Sequence, residues 1–179
     1  GIDDLTRPEV NILARARMRG EDLDRYFGAG IPLSGPVSAV ASVRVPPRGG
    51  FRVRGKFEIG EGGRFGPFPM TGEGAIRVDP DGLLAHVTRA EYAGGKLEAL
   101  VQLGRLKGPP LPVRIAVSGT GIDFERFFSD LGLPGTGLMA RACLDMTLTF
   151  GPGGAAHADG SGAIRLVATP GVASAVRGR

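Results

Sequence analysis

Cysteine is almost absent from this chain. With Cys143 alone, no internal disulfide and no Cys-rich metal site can form, and the redox compartment stays open. Long apolar runs are missing too, since no stretch approaches the ~20 residues that carry a helix across a bilayer. The opening residues, GIDDLTRPEV, form neither a signal peptide nor an initiator-Met start, so the chain reads as an internal piece of something longer.

Histidine is scarce as well. His86 and His157 lie far apart without a Cys or acidic partner at ligand spacing, which favours solvated surface roles over a metal site. The glycines of GEGGRFG (60–66) lack the G-x-G-x-x-G spacing, and no G-x-x-x-x-G-K-[ST] occurs, so they read as turns rather than a phosphate cradle. Asp22 with Asp24, and Asp123 with Glu125, are i, i+2 neighbours at expected helix starts. Such pairs point apart, and capping explains them better than acid–base work. Cys143 falls on the outward set of its strand with no nearby His in sequence. No nucleophile-and-base constellation emerges, and the expectation is a non-enzyme without cofactor or metal.

What the chain has in abundance is turn residues. Gly 31 and Pro 14 make up about a quarter of the 179 positions, without the collagen period, and this points to many short strands separated by turns. The formal charge of +4 is modest, and most of the basic residues are Arg.

A period of two runs through the chain. In the segment FRVRGKFEIG (51–60), Phe51, Val53, Phe57 and Ile59 share one side while Arg52, Arg54, Lys56 and Glu58 share the other. The same alternation puts Val10, Ile12, Ala14, Ala16 and Met18 on one face, and likewise Val37, Ala39, Ala41, Val43 and Val45. It continues through Ile76 and Val78, through Leu97, Ala99, Val101 and Leu103, and through Val113, Ile115 and Val117. The longest run, LMARACLDMTLTF, lines up Leu138, Ala140, Ala142, Leu144, Met146, Leu148 and Phe150. One apolar side per strand is the pattern of antiparallel sheet with a wet outer face. Gly-bearing loops at PPRGG (46–50), DPDG (79–82), AGGK (93–96) and GPGG (151–154) supply the hairpins, giving a meander of roughly ten strands.

An internal repeat is superimposed on that meander. GEDLDRYF (20–27) returns as GIDFERFF (121–128), and PLSG (32–35) is answered by PGTG (134–137). The expected units are repeat A, about 10–111, and repeat B, about 112–170, in one continuous segment with a loose tail over 171–179. Each repeat opens with a strand and a short helix capped by Asp22 or Asp123, whose greasy stripe is Leu23, Tyr26 and Phe27 or Phe124, Phe127, Phe128 and Leu131. Two short helices can plug an end or a corner of the sheet, and cannot cover the inner face of about ten strands.

That shortage leaves two arrangements. The sheet either closes on itself as a sandwich or barrel with a self-filled core, as in a structural β-array, adhesin or spacer that binds nothing, or curls into an open trough. The many alanines of the inner face favour space over tight interdigitation. Single-stranded nucleic acid is disfavoured, because the aromatics of 51–60 alternate with the arginines and face the opposite side.

The order of strand, G-x-D-[LF]-[DE]-R-[YF]-F helix, Pro-Gly turn and long alternating strand, followed by AEYAGGKLEALVQL (90–103) and GSGAIRLVA (160–168), resembles the AsmA-like superfamily, which includes the TamB type of bridge-like lipid transport protein. The resemblance covers roughly residues 10–168. It implies an all-β fold with two short helices, an antiparallel meander curled into a U-shaped open groove. It also implies a function: passing phospholipid acyl chains along an apolar lining across the periplasm of Gram-negative bacteria, in outer-membrane biogenesis. The lining expected on this reading is Phe51, Val53, Phe57, Ile59, Ile76, Val78, Leu97, Val101, Leu103, Ile115, Val117, Leu144, Met146, Leu148 and Phe150. The implied partners are phospholipid and adjacent modules of the same longer chain, with room for an outer-membrane partner. Tethering to the inner membrane would come from a region that the chain lacks.

Overall fold

The computed structural model describes residues 10–22, 32–46, 50–104, 113–150 and 158–168. The first helix of the repeat beyond Asp22, most of the PPRGG turn, the GPGG turn and the tail lie outside the described residues.

Nine long strands form one antiparallel sheet in the order β1 (Val10–Arg19), β3 (Pro36–Val45), β4 (Arg52–Ile59), β7 (Thr71–Asp79), β8 (Gly82–Tyr92), β9 (Gly95–Leu103), β10 (Val113–Asp123), β11 (Ala140–Phe150) and β12 (Ala158–Ala168). Neighbours in sequence are neighbours in space. Three two-residue strands, β2 (Leu33–Ser34), β5 (Arg64–Phe65) and β6 (Phe68–Pro69), make a small second sheet. The expected ten strands are thus nine long ones and three short ones. The sheet is not closed into a barrel, and β1 and β12 are its two edges, so the closed, self-filled alternative gives way to an open groove.

The alternation of the sequence survives pairing because every register matches apolar with apolar. Ile12 stands opposite Val43, Val43 opposite Val53, Val53 opposite Val78, Val78 opposite Leu83, Leu83 opposite Leu103, and Leu103 opposite Val113. A slip of one residue would send charged or polar side chains inward, a row of cations in β1 (Arg15, Arg17, Arg19) and β4 (Arg52, Arg54, Lys56), so the register is strongly specified. Two bulges interrupt the ladders, one in β8 between Val87 and Ala90, felt by both neighbours (Glu73/Gly74 of β7 and Leu97/Ala99 of β9), and one at Gly119/Ile122 of β10. Each adds residues while keeping the rest of its strand in phase: Val87 and Ala90 are both buried, while Thr88 and Arg89 between them are exposed.

After β10 comes α1 (Phe124–Asp130). Its N-cap is Asp123, whose carboxylate accepts the Arg126 backbone N–H at 3.0 Å. At the other end Gly132 takes φ 73°, and the Leu133 N–H reaches back to the Phe128 carbonyl at 3.0 Å, which stops the helix. Leu131, expected on the greasy stripe, is instead the C-cap and 43 % exposed, because the chain has already turned away. Leu138 is also displaced from its expected strand. The Leu138 N–H donates to the Thr136 hydroxyl at 3.2 Å and the Ala140 N–H to the Leu138 carbonyl at 2.9 Å, a local turn after Gly137 (φ 67°), so β11 begins only at Ala140.

Residues 20–22 are helical after β1 as α1 is after β10, and in both copies of the repeat the strand before the helix pairs with the long strand after it.

Candidate functional site

The candidate site is the concave face of the nine-stranded sheet. On β10, Val113 and Ile115 are 3 % and 1 % exposed, packed against Val101, Leu103, Val117 and Leu148. Toward the edges the same face opens: Ile12 on β1 is 52 % exposed and Ile164 on β12 is 45 % exposed. Burial therefore falls off from the middle strands to both margins. Across strands at about 4.8 Å spacing, the face extends for about 38 Å.

Every expected lining residue within a described strand sits in phase on this face. Val53, Phe57 and Ile59 of β4 meet Val78, Gly74 and Gly72 of β7, and Ile76 meets Ala85. Leu97, Val101 and Leu103 of β9 meet Gly119, Ile115 and Val113 of β10, and Ala99 meets Val117. Leu144, Met146 and Leu148 of β11 meet Ile164, Gly162 and Gly160 of β12, and the backbone of Phe150 pairs with Val113. Phe51 precedes β4 and is half-buried. No Asp, Glu, Lys, Arg or His occupies this register, and among the described residues no polar or charged side chain is buried.

One end of the face is sealed. Phe124 and Phe127 of α1 pack with Tyr92, Ile122, Ala142 and Leu144. The Tyr92 hydroxyl donates to the Asp130 carboxylate at 2.9 Å, fixing the helix to β8. Burial, then the nearby Asp130 carboxylate, pushes the Tyr92 pKa well above the ordinary phenol range. The Gly-rich hairpin 60–70, which reads as bare turns in the sequence, contributes to the covering. Its Phe65 packs against the Val113–Ile115 cluster, and Phe68 stacks on Phe127 at 5.6 Å and meets Tyr92 edge-on at 5.4 Å. The available signal was the pair of aromatics between glycines and prolines, residues with no reason to be in a purely solvated turn.

Two clefts open at this sealed end. One, of about 630 Å³, is lined mainly by the outward-facing Glu58, Glu73, Arg89, Glu91, Lys96 and Glu98 and is not part of the apolar lining. The other, of about 780 Å³, separates the hairpin from α1 and the β8–β9 turn and is edged by Arg64, Lys96, Asp123, Arg126 and Arg141. Arg141 is committed to the fold, donating to the Gly121 carbonyl at 2.9 Å.

Glycine is the second feature missed by an alternation read from large residues. Gly74 faces Phe57 across the β4–β7 ladder, and a Cβ there would come within 2.7 Å of the Phe57 ring. The ring lies over the glycine, so one large side chain covers two positions. His86 and Cys143 both lie on the outer face, Cys143 opposite Arg165 and half-buried. Among the described residues no group of His, Cys, Asp and Glu is arranged to hold a metal ion, and no helix is long and apolar enough to cross a membrane.

No family model, curated protein or solved structure matches this chain. The concave face itself is what points to a function.

Proposed function

We propose that the concave face is a groove for the acyl chains of phospholipid, passed along the sheet without chemistry. The observation that carries this reading is one uninterrupted, uncharged face crossing nine strands, whose margins stay open to solvent at Ile12, Val45, Ile164 and Leu166. Soluble proteins seldom leave a large contiguous apolar surface exposed unless something occupies it. A tail of about sixteen carbons costs roughly 0.8 kcal/mol per methylene in water, on the order of 13 kcal/mol in all, and an apolar trough removes most of that barrier. The lining also lacks the hydrogen-bonding anchors that would hold a ligand in one place. Small residues such as Ala39, Ala41, Gly55 and Ala99 leave width between the larger ones.

The resemblance to AsmA-like proteins extends the proposal to transfer across the periplasm between inner and outer membrane, with neighbouring modules continuing the groove at the β1 and β12 edges. Headgroups would ride at the open seam, outside the lining.

A photoreactive amino acid placed at Val43, on the lining, and separately at Arg114, on the outer face of β10, tests the core of this reading in cells and with extracted lipid. Cross-linked phospholipid, identified by mass spectrometry, is expected from position 43 and not from position 114. Val43→Asp together with Val101→Asp is expected to cut co-purified phospholipid at least tenfold, since each carboxylate would have to desolvate beside an acyl chain. Equal cross-linking from both positions, or a delipidated protein that takes up no lipid, would sink the proposal.

A further inference from the structure

The convex face is not electrically uniform. On the outward side of β1, β3, β4 and β7 stand eight Arg and Lys side chains against the carboxylates Glu58, Glu73 and Asp79, whereas the outward side of β8 to β12 carries five against five, counting the helix cap Asp123. The first four strands of the sheet thus hold all of its excess positive charge. Within that region the register sets like charges directly opposite one another: Arg44 faces Arg52 across β3–β4, and Arg54 faces Arg77 across β4–β7. Directly opposed like charges weaken a sheet, so nothing in folding alone favours this placement. Arg77 is relieved by Asp79 at 3.0 Å, but Arg15, Arg17, Arg52, Arg54 and Lys56 form no ion pair with another described residue.

The patch is also partly apolar. Leu13, 68 % exposed, and Val40, 44 % exposed, lie among these cations, Val40 directly between Arg15 and Lys56. No aromatic side chain occurs on the outward side of these four strands, so the stacking platform that single-stranded nucleic acid requires is missing. Cations in rows, spaced by the sheet, with isolated aliphatic side chains between them, match an interface of anionic headgroups above a hydrocarbon boundary.

We infer that the outer face of β1, β3, β4 and β7 docks on the surface of an anionic phospholipid bilayer. The sheet would then lie with its convex, basic half against the membrane, leaving the concave face turned away from it. This inference uses side chains on the opposite face from the lining, and does not depend on what the groove holds.

The test is sedimentation of the whole chain with vesicles of phosphatidylcholine alone and with about a third phosphatidylglycerol. Binding is expected to the anionic vesicles only, and to disappear in high salt. Neutralising β4 as Arg52→Gln, Arg54→Gln and Lys56→Gln is expected to weaken it about a hundredfold, whereas Arg52→Lys with Arg54→Lys keeps it. Neutralising Lys96, Arg114 and Arg165 on the other half is expected to leave it unchanged. All these side chains are exposed, and unaltered melting of each variant verifies the fold. Equal binding to neutral vesicles, equal loss in the two triple variants, or tighter binding to duplex nucleic acid or an acidic polypeptide would each overturn the inference. Acyl cross-linking at Val43 in the β4 triple variant separates the two proposals. Its persistence with vesicle binding lost shows that the faces act independently, and absence of cross-linking at Val43 in the otherwise wild-type protein, while vesicle binding stands, strikes only the groove.

Discussion

Phe57 and Gly74 show how finely single residues set the width of the groove. The ring occupies the space above the glycine, so Gly74→Val meets both the ring and the neighbouring strand, and a cost of about 1–3 kcal/mol in urea unfolding is expected. Ala75→Val, one residue on and facing outward, is the control and is expected to be neutral or slightly stabilising. Tyr92 makes a second residue-scale prediction. Its folded-state pKa lies above the unfolded one, so the folded protein holds a proton that the unfolded chain releases. Stability from this source is intact below about pH 10 and declines as pH rises beyond it. Tyr92→Phe is expected to remove that part of the alkaline decline and, by deleting the bond to Asp130, to lower stability at neutral pH by about 1–2 kcal/mol. Thermal melts of both proteins between pH 7 and pH 11 check the two effects together. The alternation that places Phe57 inside was plain in the sequence. The accommodating Gly74 was not, because a glycine carries no facing preference and its role exists only once β4 and β7 are in register.

At the scale of elements, α1 and the 60–70 hairpin are the pieces that end the groove. The helix was legible: Asp123 caps it, and Phe124 and Phe127 point inward as their spacing demanded. Its C-terminal limit was not, since Leu131 continues the apolar period while Gly132 ends the helix. The hairpin escaped notice because its covering role depends on Phe65 and Phe68 reaching β10 and α1, contacts between segments distant in the chain. Phe127→Ala removes a 7 % exposed ring that touches Phe68 and Phe128, and should cost about 3–5 kcal/mol. Amide hydrogen exchange should show the loss concentrated in α1, the hairpin and the ends of β8 and β11, with the β3–β4 ladder little changed. Uniform acceleration across all nine strands would mean that the plug and the groove are one cooperative unit.

For the molecule as a whole, the open sheet was foreseeable from a deficit: too little helix to cover so much apolar strand. How the deficit is distributed was not foreseeable. Burial is nearly complete at Ile115 and Val113 and lapses at Ile12 and Ile164, a gradient that arises from position in the sheet and not from residue type, as four aliphatic residues show. The exposed margins coincide with the strand edges β1 and β12, whose outward backbone groups have no neighbour within the sheet. Self-association that rises with concentration is therefore expected in sedimentation velocity, and it should be suppressed when Ile164→Lys and Leu166→Lys charge the inner margin of β12. A monomer at all concentrations would show that the edges are guarded by something other than pairing.

The strictly sequential strand order carries a mechanical consequence. Because each long strand is stitched only to the ones made just before and just after it, a pull applied through the chain termini loads the outermost ladders first. The sheet would then come apart like a zipper from its borders inward, keeping its middle hairpins until last. Extension in discrete steps, one ladder at a time, would give such a molecule slack without complete collapse, a useful property for anything strung between two points that move relative to each other.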